Sequence, residues 1–170
     1  LQKISLFCDV MEDAVIPALT AETIYQVPLD LERYQLMEII SRLMGLPRKT
    51  PDLAEWKSMV FRMRNAKKVV RIGMAGKYTD LDDAYLSVNE GIKSAAAAVS
   101  AKPEIVWIDT EKLEEKDAAE AAKLKTVHGM IVPGGFGKRG VEGKIQVAQY
   151  CREKKIPYLG LCLGCQIMTI

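Results

Sequence analysis

The chain has 170 residues, with 24 basic against 22 acidic side chains and a formal net charge of +2. That length allows one domain with a good core, or one domain and part of another. The balanced charge argues against nucleic acid or an anionic membrane as a partner selected by bulk electrostatics. No apolar stretch approaches the roughly 20 residues that span a bilayer, and the N-terminus lacks a signal-peptide pattern, so a soluble, reducing, cytoplasmic setting is expected. The four cysteines, Cys8, Cys151, Cys162 and Cys165, show no spacing of a disulfide framework.

In chain order, Lys3 to Val10 reads as a strand, followed by short apolar runs broken by Pro17 and Pro28. Leu29 to Leu46 has helical spacing, with Leu31, Leu36, Ile39, Ile40, Leu43 and Met44 on one stripe, and Gly45 marks its stop. Pro47 to Pro51 reads as a linker, and about Asp52 to Ala66 as a second amphipathic helix. After Lys68 the texture changes. Strands are expected at Val69 to Ala75, Glu104 to Asp109, Val127 to Val132 and Pro157 to Leu161. Helices are expected at Asp82 to Ser100 and Glu142 to Lys155, with a charged helix or loop over Glu111 to Lys125. Strands alternating with helices predict a parallel sheet covered on both faces, whose working residues gather at the carboxyl ends of the strands.

Two motifs fall at such ends. Gly160-Leu161-Cys162-Leu163-Gly164 joins an apolar run to a helix start, the layout of a nucleophile elbow with sulfur in place of oxygen. Glycines flank such a residue because a side chain there would collide with the crossing backbone or with a substrate. Amide dipoles at a helix start favour a thiolate. The other reading of Cys162 is a small buried hydrophobe on a core strand. Pro133-Gly134-Gly135-Phe136-Gly137 ends the preceding strand, and a diglycine there can aim backbone N–H groups at one point, as an oxyanion hole requires. A thiolate facing amide donors is the minimum for acyl transfer.

The remaining candidates are weaker. Cys162 and Cys165 form a C-x-x-C pair, but no second pair completes a zinc site, and a glycine fills one intervening position of a redox motif. Gly73 to Gly76 lacks dinucleotide-binding spacing. His128, the lone histidine, opens a strand rather than ending one and reads as structural. The acidic cluster Glu111, Glu114, Glu115, Asp117 and Glu120 reads as a solvated face. Lys138 to Lys144 reads alone as a solvated surface loop, and as a lid only if it covers a site.

Val132-Pro133-Gly134-Gly135-Phe136-Gly137, Arg139-Gly140-Val141-Glu142-Gly143-Lys144 and Gly160 to Gly164 together resemble the glutamine amidotransferase domain of the CTP synthase family. Gly76-Lys77-Tyr78 with Asp83 to Val88 is similar to that domain's first strand-to-helix segment. Lys3 to Asp9 and Ile24 to Pro28 are similar to the end of the family's synthetase domain. The resemblance implies an open, parallel-sheet, flavodoxin-like α/β domain over residues 69–170, incomplete, after the end of a P-loop-type synthetase domain (1–28) and a helical linker (29–68).

It further implies amination of UTP to CTP with ATP, Mg²⁺ and ammonia from L-glutamine. Cys162 would be the nucleophile and Gly135 the oxyanion donor, and Gly135, Leu163, Gly164, Cys165 and Gln166 would hold glutamine. Arg139, Gly140 and Glu142 would belong to a lid linked to activation by GTP, and Lys3 would contact UTP or CTP. Leu19, Thr20 and Ala21 align with an ATP-lining stretch but differ from its common pattern. The family forms homotetramers. Position 165 is usually methionine in the family, so the pocket floor is expected to be looser here. The family's histidine and glutamate partners of the cysteine lie beyond Ile170, and its phosphate loop and Mg²⁺ ligands precede Leu1, so the segment alone is not expected to turn over. Two further readings stand beside this one: another cysteine-dependent glutamine amidotransferase or hydrolase, and a non-catalytic flavodoxin-like module.

Overall fold

The computed structural model describes residues 1–79 and 82–170, which fall into two units, Leu1–Arg64 and Asn65–Ile170.

The first unit is helical. Helix α1 spans Gln2–Cys8 and ends at Asp9 in the left-handed conformation (φ 50°). The strand expected over Lys3 to Val10 is therefore a helix. Its apolar residues Ile4, Leu6 and Phe7 are exposed rather than alternating across a sheet. The single helix expected over Leu29 to Leu46 is two, α2 (Val27–Arg33) and α3 (Leu36–Met44), because Gln35 turns left-handed (φ 58°) between them. Pro28 is accommodated in the first turn of α2, where its missing N–H has no intrahelical partner to lose. Gly45 does stop α3, in the left-handed conformation (φ 64°), with the Leu46 N–H closing on Ser41 O at 2.8 Å. Helix α4 (Ala54–Asn65) follows, and its Trp56 donates Nε1–H to the Tyr25 carbonyl at 2.7 Å.

The second unit is built on four parallel strands: β1 (Lys68–Gly76), β2 (Ala101–Asp109), β3 (Gly129–Val132) and β4 (Tyr158–Gly160). Their order is β2-β1-β3-β4. Alternation along β1 sends Ala75 to one face, with Ile108, Val132, Val147 and Cys151, and Met74 to the other, with Tyr85 and Ile92. Both faces are thus buried, as parallel sheets require. A 3₁₀ turn (Asp82–Tyr85) and α5 (Leu86–Ala98) replace the one helix expected from Asp82, and α5 stops before Ser100, whose φ is 52°. The charged segment after β2 splits into α6 (Thr110–Glu114) and α7 (Ala118–Lys123) at left-handed Lys116. Helix α8 (Val141–Lys154) connects β3 to β4, and the short α9 (Leu163–Ile167) follows β4.

The chain leaves β1 toward β2 on one side and toward β3 on the other, so strand order reverses between β1 and β3. Ligands in open α/β sheets bind outside the carboxyl ends at such a reversal. Lys77 and Pro133 to Gly137 emerge there, and the β4 end beside them leads into Cys162.

Candidate active site

Cys162 caps α9 with φ 52° and ψ −112°. A non-glycine residue avoids that combination unless its surroundings enforce it. Both flanking glycines supply the enforcement. A Cβ on Gly160 would overlap the Gly164 carbonyl, and a Cβ on Gly164 would overlap the Val132 carbonyl oxygen. That oxygen also accepts the Leu161 N–H at 2.9 Å. The elbow is therefore seated directly on the end of β3. Below it, Tyr158 donates its hydroxyl to Gly164 O at 2.8 Å. Burial, with smaller contributions from Cys151 and Cys165, pushes the phenol up to about 12, so it remains a donor through the working pH range.

The diglycine lies against this sulfur. A Cβ on Gly134 would meet Cys162 Cβ at 3.2 Å and Sγ at 3.6 Å. Gly135 is flanked by two lysines, Cε of Lys77 and Nζ of Lys144 standing 3.5 and 3.6 Å from its Cβ position. Lys77 donates Nζ–H to the Phe136 carbonyl. Lys144 donates to Pro133 O at 2.8 Å and Gly134 O at 3.2 Å.

Among the other glutamine-contact candidates, the backbone N–H groups of three are already committed. Gly164 donates to Leu161 O, while Cys165 and Gln166 both donate to Cys162 O. The N–H of Leu163, first in the helix, has no intrahelical acceptor. Cys165 and Gln166 can reach a ligand only through their exposed side chains.

The Lys138 to Lys144 segment is not a uniformly solvated loop. Lys138, Arg139 and Glu142 are exposed, but Gly140 and Gly143 are buried against Thr110. A Cβ on Gly140 would lie 2.6 Å from Thr110 Oγ1, and one on Gly143 would overlap the Thr110 carbonyl. Arg139 Nε pairs with Glu111 at 2.6 Å. Glu120 departs from the expected solvated face: it is 6% exposed and accepts the Asp109 N–H at 3.0 Å, capping the end of β2. His128 takes the structural role expected of it, accepting the Arg71 N–H on Nδ1 at 2.9 Å. Lys3, on α1, and Leu19 and Thr20 are exposed and Ala21 half-buried; these four belong to the first unit, and the Cys162 cluster to the second.

Sequence reasoning passed over Lys144, Lys77 and Tyr158. Lys144 had a signal. It shares with Val147 and Cys151 the i, i+3, i+7 positions of the buried stripe of α8, where a lysine is out of place. The four cysteines also divide by environment. Cys8, Cys162 and Cys165 are exposed, whereas Cys151 is buried, which pushes its thiol up to about 11. Native alkylation at pH 8, counted by mass spectrometry, is expected to add three groups, with the fourth entering only after denaturation.

A family model described as class-I glutamine amidotransferase matches residues 80–170, more than half of the chain, and one described as CTP synthase N-terminus matches residues 1–46. The chain is 47% identical over 169 residues to the CTP synthase of Halalkalibacterium halodurans, covering 99% of this chain and 31% of that protein. The chain belongs to the CTP synthase family. The CTP synthase of Carboxydothermus hydrogenoformans is 48% identical with the same coverage. Among solved structures, the Trypanosoma brucei CTPS glutaminase domain with bound acivicin matches 58% of this chain and 38% of its own, at 44% identity and a TM-score of 0.52. The chain thus spans about 31% of the length of the curated CTP synthases it matches. Among the described residues no helix is long and apolar enough to cross a membrane.

Proposed function

We propose that residues 69–170 carry the nucleophile and part of the oxyanion hole of a glutaminase that feeds ammonia to CTP synthesis. The observation that carries this reading is the strained elbow at Cys162, set against Gly134 and Gly135 at the sheet's point of strand reversal. The sulfur attacks the side-chain amide carbon of L-glutamine, and the carbonyl oxygen takes the negative charge. The N–H groups of Gly135 and Leu163 stabilise that oxyanion. Collapse breaks the C–N bond, a proton passes to the departing nitrogen, and ammonia leaves behind a glutamyl thioester that water cleaves to glutamate. The side chains of Cys165 and Gln166 border the glutamine, while Gly164, its own amide engaged, serves the site by letting the elbow sit on the end of β3.

The wider assignment follows the family. Ammonia aminates UTP to CTP at the expense of ATP, in a cytoplasmic homotetramer whose synthetase domain ends near residue 28 and is tied to the glutaminase by residues 29–68. Lys3 is assigned to UTP or CTP, and Leu19, Thr20 and Ala21 to ATP; the exposure of Lys3, Leu19 and Thr20 is compatible with ligand contact. Arg139 and Glu142 are assigned to a GTP-linked lid, with Gly140 serving it by packing on Thr110. Among the described residues no three His, Cys, Asp or Glu side chains converge, and no step here runs through Mg²⁺.

The test is covalent labelling with a glutamine-like electrophile such as diazo-oxo-norleucine, followed by peptide mapping. Modification concentrated on Cys162, blocked by excess glutamine, is expected. Equal labelling of Cys8, Cys162 and Cys165, or none in a full-length protein, would favour a non-catalytic module.

A further inference from the structure

Lys144 is 1% exposed, the largest side chain so completely buried. Burying an ammonium is costly unless its donors are satisfied, and packing alone would be served by an aliphatic residue on this stripe of α8. Two of its three donors go to consecutive carbonyls, Pro133 O and Gly134 O, of the loop that faces Cys162. In a trans peptide the C=O and the following N–H point in opposite directions, and among the described residues no peptide bond is cis. Drawing Gly134 O onto Lys144 therefore turns the Gly135 N–H away from the lysine and fixes its aim. The ionisable groups acting on Lys144 are Lys77 from the end of β1 and Cys162 from the elbow.

We propose that Lys144 is a positioning residue for the nucleophile site: it sets the direction of the Gly135 N–H, and its buried ammonium favours negative charge on the Cys162 sulfur. This rests on Cys162 being the nucleophile. Burial, and secondarily Lys77, push the Lys144 ammonium toward losing its proton, while Cys162 acts to retain it. Lys144 Nζ bonds the carbonyl of Gly134, whose Cβ position lies 3.6 Å from the Cys162 sulfur, so a positive charge held there favours an anion on that sulfur.

The experiment compares the chain with its Lys144→Met variant, which keeps volume and removes both charge and donors. Iodoacetamide alkylation of Cys162 is followed by mass spectrometry from pH 6 to 10, with Cys8 as internal reference. At pH 7 alkylation of Cys162 is expected to slow by about 3- to 10-fold, the tenfold limit being one unit's displacement of a titration. The gap should close toward pH 10, with Cys8 unchanged. A buried lysine with a merely structural role would lower the melting temperature and leave this profile in place; an unchanged profile in a folded variant overturns the proposal. Should Lys144→Met not fold, Cys162→Ser at the exposed elbow reads the same coupling from the other side. The Lys144 Cε resonance should then titrate at a lower pH than in the parent, and coincident curves would overturn the proposal.

Neither readout depends on glutamine. Failure of the glutaminase reading is detected separately, by absence of glutamine hydrolysis in a full-length parent protein. If the parent hydrolyses glutamine, Lys144→Met should lower kcat with KM little changed, since the misaimed donor acts on the oxyanion rather than on bound substrate.

Discussion

Cys162→Ala in a full-length protein is expected to abolish glutamine-supported CTP formation while leaving synthesis from free ammonia near the parent rate. In the proposed reaction the sulfur is the atom that forms the thioester, so its removal would delete a step rather than weaken one. A loss of more than about a thousandfold in the glutamine-dependent rate is anticipated. In that proposed scheme free ammonia would enter after the step and need neither the elbow nor the oxyanion hole. Position 162 is exposed, and alanine keeps the same Cβ, and so the same backbone strain at φ 52°, without opening a cavity. The melting temperature should accordingly stay within a few degrees of the parent. Initial rates with glutamine and with ammonium chloride, measured on one preparation, decide the matter. Parallel loss of both activities would remove Cys162 from its assigned role.

Gly164→Ala is expected to be the most damaging single methyl group added near the site. The new Cβ would occupy the space of the Val132 carbonyl oxygen and press on Val132 Cβ at 3.2 Å. Neither neighbour can step aside, because that carbonyl is the end of β3 and already receives the Leu161 amide. Helix α9 must lift from the strand, which also pulls Gly164 O from the Tyr158 hydroxyl. Overpacking at a rigid backbone contact costs about 3 kcal/mol, or roughly 6–12 °C in melting temperature for a chain this size. Thiol reactivity at Cys162 should change with it. Gly91→Ala is the control: it lies inside α5 with nothing near its Cβ position. There alanine should stabilise by about 0.5–1 kcal/mol through helix propensity. A Gly164→Ala protein as stable as the parent would contradict the seating of the elbow.

The sheet and elbow were legible because their signals are local and redundant. Four apolar runs each end in a turn, and glycines bracket Cys162 where a strand passes into a helix. Lys3 to Val10 misled because Ile4, Leu6 and Phe7 suit a strand as well as a helix, and the left-handed turn that closes α1 is signalled only weakly, by an aspartate at position 9. The breaks at Gln35 and Lys116 were hidden because both are ordinary helix formers forced into positive φ by context. Lys144 and Glu120 were read as solvated because charge alone suggests water. Only the spatial return of β3 and β2 supplies the carbonyls and the amide that those groups serve.

The crowding at Gly143, Gly160 and Gly164 also bears on how this segment can change over generations. Each of the three faces backbone, not a side chain that a second substitution could shrink. Every base change that alters a glycine codon's meaning, short of a stop, adds at least a Cβ. No first step is then available that a neighbouring change could rescue. Lineages that keep the elbow must keep Gly160 and Gly164 empty, those that keep α8 packed on Thr110 must keep Gly143 empty, and an open site such as Gly91 is free to drift.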